Sequence, residues 1–257
     1  MHAKFLFLGT GASAGVPVIG CPCHVCRSPN PRNNRLRPSG ILTVGNTRLL
    51  MDIGPDFRQQ ALRYGIEHLD GLLLTHTHYD HIAGIDELRV LNFRQKKPFP
   101  CLLSEESHQD LVRRYYYLFR PMKEGDSHAA QIEWHKLSGR EGTVNFLGID
   151  LNYMTYSQGG MQVTGFRVGD FAYVSDIRQY EPSIFDSLSG VKTLVLSALR
   201  LEPSPVHFSL QEAADFAHKV GAKQTYLTHL SHAVDDETAG RLLPPDVHLA
   251  YDGLELG

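Results

Sequence analysis

Between Gly71 and His81 the chain reads Leu72-Leu73-Leu74-Thr75-His76-Thr77-His78-Tyr79-Asp80-His81. The apolar run predicts a buried strand, Gly71–Thr75, and four metal-ligating side chains follow it within six positions. At strand spacing His76 and His78 point the same way. A turn after them lets Asp80 and His81 face the same cavity from another side. Imidazoles grouped with a carboxylate suit Zn, Mn or Fe rather than Ca or Mg. A solvated histidine-rich loop is the competing reading, and it fits poorly with an apolar strand that runs straight into the cluster.

Other short apolar runs predict strands at Lys4–Leu8, Ile41–Val44, Arg48–Asp52, Cys101–Ser104, Val163–Val168, Phe171–Ser175, Thr193–Ser197, Thr225–Thr228 and His248–Ala250. Helical patterns fall between many of them: Asp56–Tyr64, Asp86–Arg94, Glu105–Phe119 (ended by Pro121), Ser209–Val220 and Asp235–Leu243. Ser209, with Glu212 three residues on and Gly221 past the end, forms a capping box and a C-terminal glycine. Interleaved strands and helices indicate an α/β or α+β layered fold. Asn30–Ser39 and Met122–Glu141 lack a period and are expected as surface loops. With no repeat and no convincing linker, residues 1–257 are read as one domain.

Three of the four cysteines sit in Cys21-Pro22-Cys23-His24-Val25-Cys26. Neighbours that close cannot easily staple a fold by pairing with one another, and the short apolar N-terminus does not read as a secretion signal. Thiolate metal binding in a cytoplasmic chain is the better reading. Cys101, alone in an apolar stretch, reads as a buried inert thiol. With 25 Lys+Arg against 28 Asp+Glu, the net charge of -3 argues against nucleic-acid binding by bulk charge. No apolar run approaches the length of a membrane span.

Gly9-Thr10-Gly11-Ala12-Ser13-Ala14 imitates a dinucleotide fingerprint. The helix that should follow is broken by Pro17, Gly20 and Pro22, and no acidic residue lies at the right distance. A tight glycine turn between strand and loop is the expectation, with backbone N–H groups lining a pocket as the alternative.

The H-x-H-x-D-H motif after a strand resembles the signature of the metallo-β-lactamase superfamily, an αββα four-layer sandwich. The likeness extends over nearly the whole chain, through Met51-Asp52-Ile53-Gly54, Tyr173-Val174-Ser175-Asp176 and Leu227-Thr228-His229. It implies that His76 and His78 hold one divalent ion, that Asp80, His81 and His229 hold a second, and that Asp176 bridges them. The two ions, zinc or manganese, would share a hydroxide nucleophile and clamp the substrate's oxygens. Gly15-Val16-Pro17 leading into Cys21-x-Cys23-x-x-Cys26, with His229-x-x-His232, resembles the PhnP-like phosphoribosyl cyclic phosphate phosphodiesterase subfamily. That resemblance implies a structural zinc on Cys21, Cys23, Cys26 and His232, within an N-terminal loop of about residues 15–40. Cys₃His is also a closed tetrahedral set on chemical grounds alone. The family places a proton donor where this chain has His207, just before the helix capped by Ser209. Asp80 and His207 are thus the candidate catalytic residues. Arg200 is a candidate contact for a substrate phosphate through its bidentate fork, a surface salt bridge being the plainer alternative.

One position departs from the pattern. The superfamily supplies a further histidine to the first ion, and Gln158 takes that place here. An amide oxygen is a harder and weaker ligand than imidazole, so a weaker first site is expected.

The implied activity is metal-dependent hydrolysis, in the first instance of small cyclic phosphodiesters. The cysteine insertion also resembles the pyrroloquinoline quinone biosynthesis protein B group, so a cofactor-modifying enzyme is one alternative. A non-catalytic ligand-binding protein, motivated by Gln158, is another. A tRNA-processing endonuclease fits less well, because no basic, Gly-rich arm is visible. Related proteins are often dimers, which makes a homodimer an expectation.

Overall fold

Apolar strands in two groups build two mixed sheets that face each other. The computed structural model describes residues 3–120 and 129–257. The first sheet takes β1 (Ala3–Gly9), β2 (Ser39–Val44), β3 (Thr47–Met51), β4 (Gly71–Leu73), β5 (Phe99–Leu103) and β6 (Ile132–Lys136). The second takes β7 (Glu141–Phe146), β8 (Ile149–Gln158), β9 (Met161–Val168), β10 (Phe171–Val174), β11 (Thr193–Ser197), β12 (Gln224–Thr228) and β13 (Val247–Leu249). A last strand, β14 (Glu255–Leu256), returns to the first sheet beside β1, giving the orders β14-β1-β2-β3-β4-β5-β6 and β13-β12-β11-β10-β9-β8-β7. In both sheets the strands that lead to histidine or aspartate ligand candidates are parallel to a neighbour: β3-β4-β5-β6 in the first, β10-β11-β12-β13 in the second. Open sheets of this kind place their sites beyond the carboxyl ends of the parallel strands.

The helices are α1 (Phe57–Arg63), α2 (Tyr79–Ile82), α3 (Leu88–Gln95), α4 (Glu105–Arg114), α5 (Ile184–Ser187), α6 (Leu210–Val220) and α7 (Asp236–Gly240). Three apolar clusters fill the spaces between four layers. One lies between the sheets, where Phe5 of β1 stacks on Phe171 of β10 at 5.3 Å. A second packs the first sheet against α1, α3 and α4, and a third packs the second sheet against α5, α6 and α7. This is the αββα sandwich. Each side chain that leaves water in such a layer contributes about 1.5–3 kcal/mol when fully buried. The helix at α6 begins as its sequence requires. Ser209 accepts from the Glu212 amide and Glu212 accepts from the Ser209 amide, while Gly221 closes the helix at φ 77°.

Several expectations are corrected. The irregular stretch after Met122 contains β6, and its residues 122–128 lie outside the described residues, as does Pro121. The hairpin β7–β8 had no predicted strand, although Ile149, Leu151 and Tyr153 alternate in toward the core. The helix from Glu105 ends at Arg114 and gives way to a 3₁₀ turn at Tyr116–Leu118. The Asn30–Ser39 loop is not all at the surface: Asn33 and Arg35 are buried. Arg35 is tolerated there because its guanidinium donates to Thr10 Oγ1 and to the Ala250 carbonyl and pairs with Asp236 at 3.1 Å. Three amides of the Gly9–Ala14 turn are taken up within the fold. Thr10 donates to Asp252, Gly11 to the Leu36 carbonyl and Ala12 to the Leu230 carbonyl. Cys101 is fully buried, as expected, and burial pushes its thiol well above the usual range. Among the described residues no helix is long and apolar enough to cross a membrane.

Candidate metal centre

The Leu72–Leu74 run carries β4 to the rim of the first sheet, and the chain then turns into α2. His76 and His78 lie in the turn, and Asp80 and His81 lie on α2. From the second sheet, Asp176 follows β10, His229 follows β12, Gln158 ends β8, and His207 precedes α6. These residues meet. His81 Nε2 is 2.8 Å from Asp176 Oδ2, and His76 Nε2 is 3.6 Å from the same oxygen. His229 Nε2 is 3.3 Å from Asp80 Oδ2 and 3.2 Å from Asp176 Oδ1. His76 Nε2 faces His78 Nδ1 at 2.9 Å. The sequence-predicted ligands therefore assemble from both sheets, and all but half-exposed His78 are buried.

The arrangement fits a cation better than it fits hydrogen bonding. His81 Nε2, Asp176 Oδ1 and His207 Nδ1 are buried without an aligned hydrogen-bond partner. Ligands held tetrahedrally at about 2.0–2.2 Å from zinc stand roughly 3.4 Å apart, and the distances above scatter around that value. Asp80 and Asp176 are buried, and among the described residues no lysine or arginine pairs with either. Buried carboxylates without a cation are costly. Burial pushes both carboxyls up, but the facing imidazoles of His81 and His229 outweigh it and hold them well below the usual carboxylate range. Burial pushes His76 and His78 down, toward the unprotonated form that ligates metal.

Asp52, quoted in the sequence only as part of a longer likeness, proves to orient the cluster. Its Oδ2 accepts from His81 Nδ1 at 2.7 Å, and its Oδ1 accepts from the Thr75 amide at 2.8 Å. His81 Nε2 is thereby left as the lone-pair atom facing the site. Thr75 Oγ1, 2.9 Å from His76 Nδ1, does the same for His76. The 52–54 strand end can lie this close only because residue 54 is glycine, since a Cβ there would sit 2.1 Å from the Asp80 carbonyl oxygen. Asp52, Asp176 and His229 have φ of 57°, 53° and 62°, the left-handed region. Such strain costs about 1–3 kcal/mol per residue and persists at sites that the surrounding fold over-determines. A further clamp holds the turn between the two histidines. Thr77 Oγ1 donates to Asp110 Oδ2 at 2.5 Å, and Arg114 donates to both the Thr77 carbonyl and Asp110. No local motif marks Asp110 or Arg114, because their role exists only once α4 packs beside the turn.

His207 and Gln158 lie together at the rim. His207 Nδ1 is 3.2 Å from Asp176 Oδ1, and its ring stacks on His229 with centroids 4.8 Å apart. Gln158 is buried with its Nε2 3.1 Å from His207 Nε2. Arg200 is directed elsewhere: its guanidinium donates to the carbonyls of Glu202 and Pro203 in its own loop. A cleft of about 400 Å³ opens beside His78, walled by Thr77, Arg113, Gly159, Gly160 and Gln162 among others. Arg113 is the cation there, a residue without a sequence signal.

A second cluster stands apart from this one. Cys21, Cys23 and Cys26 place Sγ at 3.3, 3.5 and 3.7 Å from His232 Nδ1. A tetrahedron built on Zn–S of about 2.3 Å and Zn–N of about 2.0–2.1 Å has an S···N edge of roughly 3.6 Å, so the four atoms can hold zinc. The Cys26 amide donates to Cys23 Sγ and, with His232, brings that thiol down to about 6. Burial raises Cys26 to about 11.

Residues 47–230 match the Beta-lactamase superfamily domain. The chain belongs to that superfamily. The crystal structure of a protein described as a new diphosphatase from the PhnP family superposes with a TM-score of 0.91 at 36% identity, over 100% of this chain and 97% of that one. By that likeness the chain is a PhnP-family member of the beta-lactamase superfamily. It is also 34% identical to an octanoyltransferase of Porphyromonas gingivalis over 98% of its own length, and it spans only 51% of that relative. Zinc-bound PqqB of Methylobacterium extorquens, at 17% identity, TM-score 0.77 and 99% coverage of both chains, shares the fold.

Proposed function

We propose that this PhnP-family protein is a phosphodiesterase acting on small cyclic phosphodiesters. His76 and His78 would hold one divalent ion, Asp80, His81 and His229 would hold a second, and Asp176 would serve both. When bound, the ions supply an activated water and neutralise the phosphate oxygens. His207, at the rim beside Asp176, delivers a proton to the leaving oxygen, a contribution of about 10²–10⁴-fold. Arg113 contacts the phosphate from the cleft wall. Cys21, Cys23, Cys26 and His232 hold a zinc that contributes folding energy rather than chemistry. Free thiols in that cluster suit a reducing compartment, the cytoplasm.

The observation that carries this reading is the buried cluster assembled from both sheets and opening on a cleft of about 400 Å³. That space matches a small ligand. Retention of both halves of the cluster favours hydrolysis over a ligand-binding or cofactor-modifying role. The 36% identity to a protein described as a diphosphatase favours a second reading, cleavage of a P–O–P anhydride. Both reactions displace an oxygen from phosphorus, and they differ in the leaving group. Turnover by metal-loaded protein of a ribose cyclic phosphate, bis(p-nitrophenyl) phosphate and a nucleoside diphosphate decides between them. Hydrolysis of the cyclic ester is expected, and cleavage of the diphosphate alone would replace the first reading by the second.

A further inference from the structure

Gln158 stands where the superfamily resemblance implies a histidine, and the residue is 6% exposed at the end of β8. A buried amide must satisfy an oxygen and an NH₂ group. Its Nε2 is satisfied by His207 Nε2 at 3.1 Å, whereas Oε1 is buried with no hydrogen-bond partner. An amide N–H facing an imidazole nitrogen requires that nitrogen to be the lone-pair atom. The His207 proton then belongs on Nδ1, which stands 3.2 Å from Asp176 Oδ1 but is not aligned for a hydrogen bond to it. That proton is uncommitted and lies beside the carboxylate shared by both halves of the cluster.

We infer that Gln158 couples the two functions of the site: its oxygen completes the first metal position while its NH₂ group fixes His207 in the tautomer that carries hydrogen on Nδ1. Gln158 is in this sense a positioning residue for neutral His207 as well as a weak ligand, and His207 becomes a proton donor only after Nε2 takes up a proton and gives up the amide contact. A carboxylate at that place would still offer an oxygen to the ion, but it would accept rather than donate toward His207. The tautomer and the metal affinity are therefore separable by substitution. The inference rests on the role proposed for His207, and its test does not use turnover.

The test is the tautomer of His207 in zinc-loaded protein carrying ¹⁵N-labelled histidine. Long-range ¹H–¹⁵N correlations distinguish the two forms, and the His207 signals are those lost in His207→Asn. The wild type should show hydrogen on Nδ1. Gln158→Glu should keep zinc at the first position and move the hydrogen to Nε2. Gln158→Leu should weaken the first ion at least tenfold in calorimetric titration of metal-free protein while sparing the second. A wild-type spectrum with hydrogen on Nε2 overturns the inference, because it turns the amide oxygen toward His207 and away from the ion. Two equally tight ions in Gln158→Leu overturn it as well. A protein that cleaves no phosphodiester yet shows hydrogen on Nδ1 loses the proposed function and keeps this coupling.

Discussion

The two ligand clusters are built in opposite ways. The histidine–aspartate cluster is contributed by elements of both sheets, is almost wholly buried, and includes residues held at left-handed backbone angles. Its orientation comes from neighbours such as Asp52 and Thr75 that face no substrate. The cysteine cluster is half-exposed and lies in a loop without regular structure, with three of its four ligands inside six residues. A packed scaffold pre-forms the first site before any ion arrives. In the second, local spacing supplies the ligands, and the ion must supply the order. Catalytic geometry needs the former, because productive positioning tolerates displacements of only about 0.5 Å. A staple needs only the latter.

The sharpest break in this comparison comes from Cys23→Ser. Structural zinc in zinc-finger peptides is worth about 10–16 kcal/mol of folding energy. Loss of one zinc per chain and a fall in melting temperature of roughly 10 °C or more are expected, with the ions on His76, His78, Asp80, His81 and His229 retained. Metal analysis and a thermal scan check both parts, and an unchanged melting temperature would make the cysteine loop dispensable.

His207→Ala probes the other side. Rates on a cyclic ester with an alkoxide leaving group should fall by about 10²–10⁴-fold, against a small loss on bis(p-nitrophenyl) phosphate, whose leaving group needs no proton. Equal losses on both substrates would assign His207 to structure.

Asp52→Asn leaves every direct ligand in place but turns an NH₂ group toward His81. Metal affinity should drop by about 10–100-fold, as is usual for a partner that orients a ligand, and equilibrium titration measures it. An unchanged affinity would show that burial alone aligns His81.

The smallest effect is expected for Thr77→Val, which removes the bond to Asp110 while Arg114 still holds the Thr77 carbonyl. A loss of about 1 kcal/mol, or fivefold in affinity for the first ion, would locate the clamp's contribution. No change would assign the turn's position to backbone contacts.

The same contrast explains what could be read from the chain. His76–His81 and Cys21–Cys26 are compact patterns, and each carries its chemistry within a few residues. Asp176, His229 and His232 were legible only through the family resemblance, the first two helped by their strand-end settings. Asp52 was visible as part of a motif, but its contact with His81 spans 29 positions and exists only where β3 lies beside β4. Arg113 and Asp110 carry no pattern, because they acquire a role from the packing of α4. The β6 and β7 strands escaped notice because they are half-exposed edges with polar sequences, Ile132-Glu133-Trp134-His135-Lys136 and Glu141-Gly142-Thr143-Val144-Asn145-Phe146. Arg35 looked like a solvated loop residue, and only the closure of residues 10, 236 and 250 around it gives its charge a partner.

The cysteine loop has one more consequence, which belongs to the unfolded chain. Cys23 and His232 are 209 positions apart, so an ion that joins them closes nearly the whole polypeptide into a ring. By the chain-entropy treatment of cross-links, a loop of that size removes about 5 kcal/mol of conformational freedom from the denatured ensemble. A zinc retained by unfolded protein would therefore act as a reversible covalent staple does. It would bring the first and last strands of the first sheet, β1 and β14, into each other's neighbourhood before either has folded.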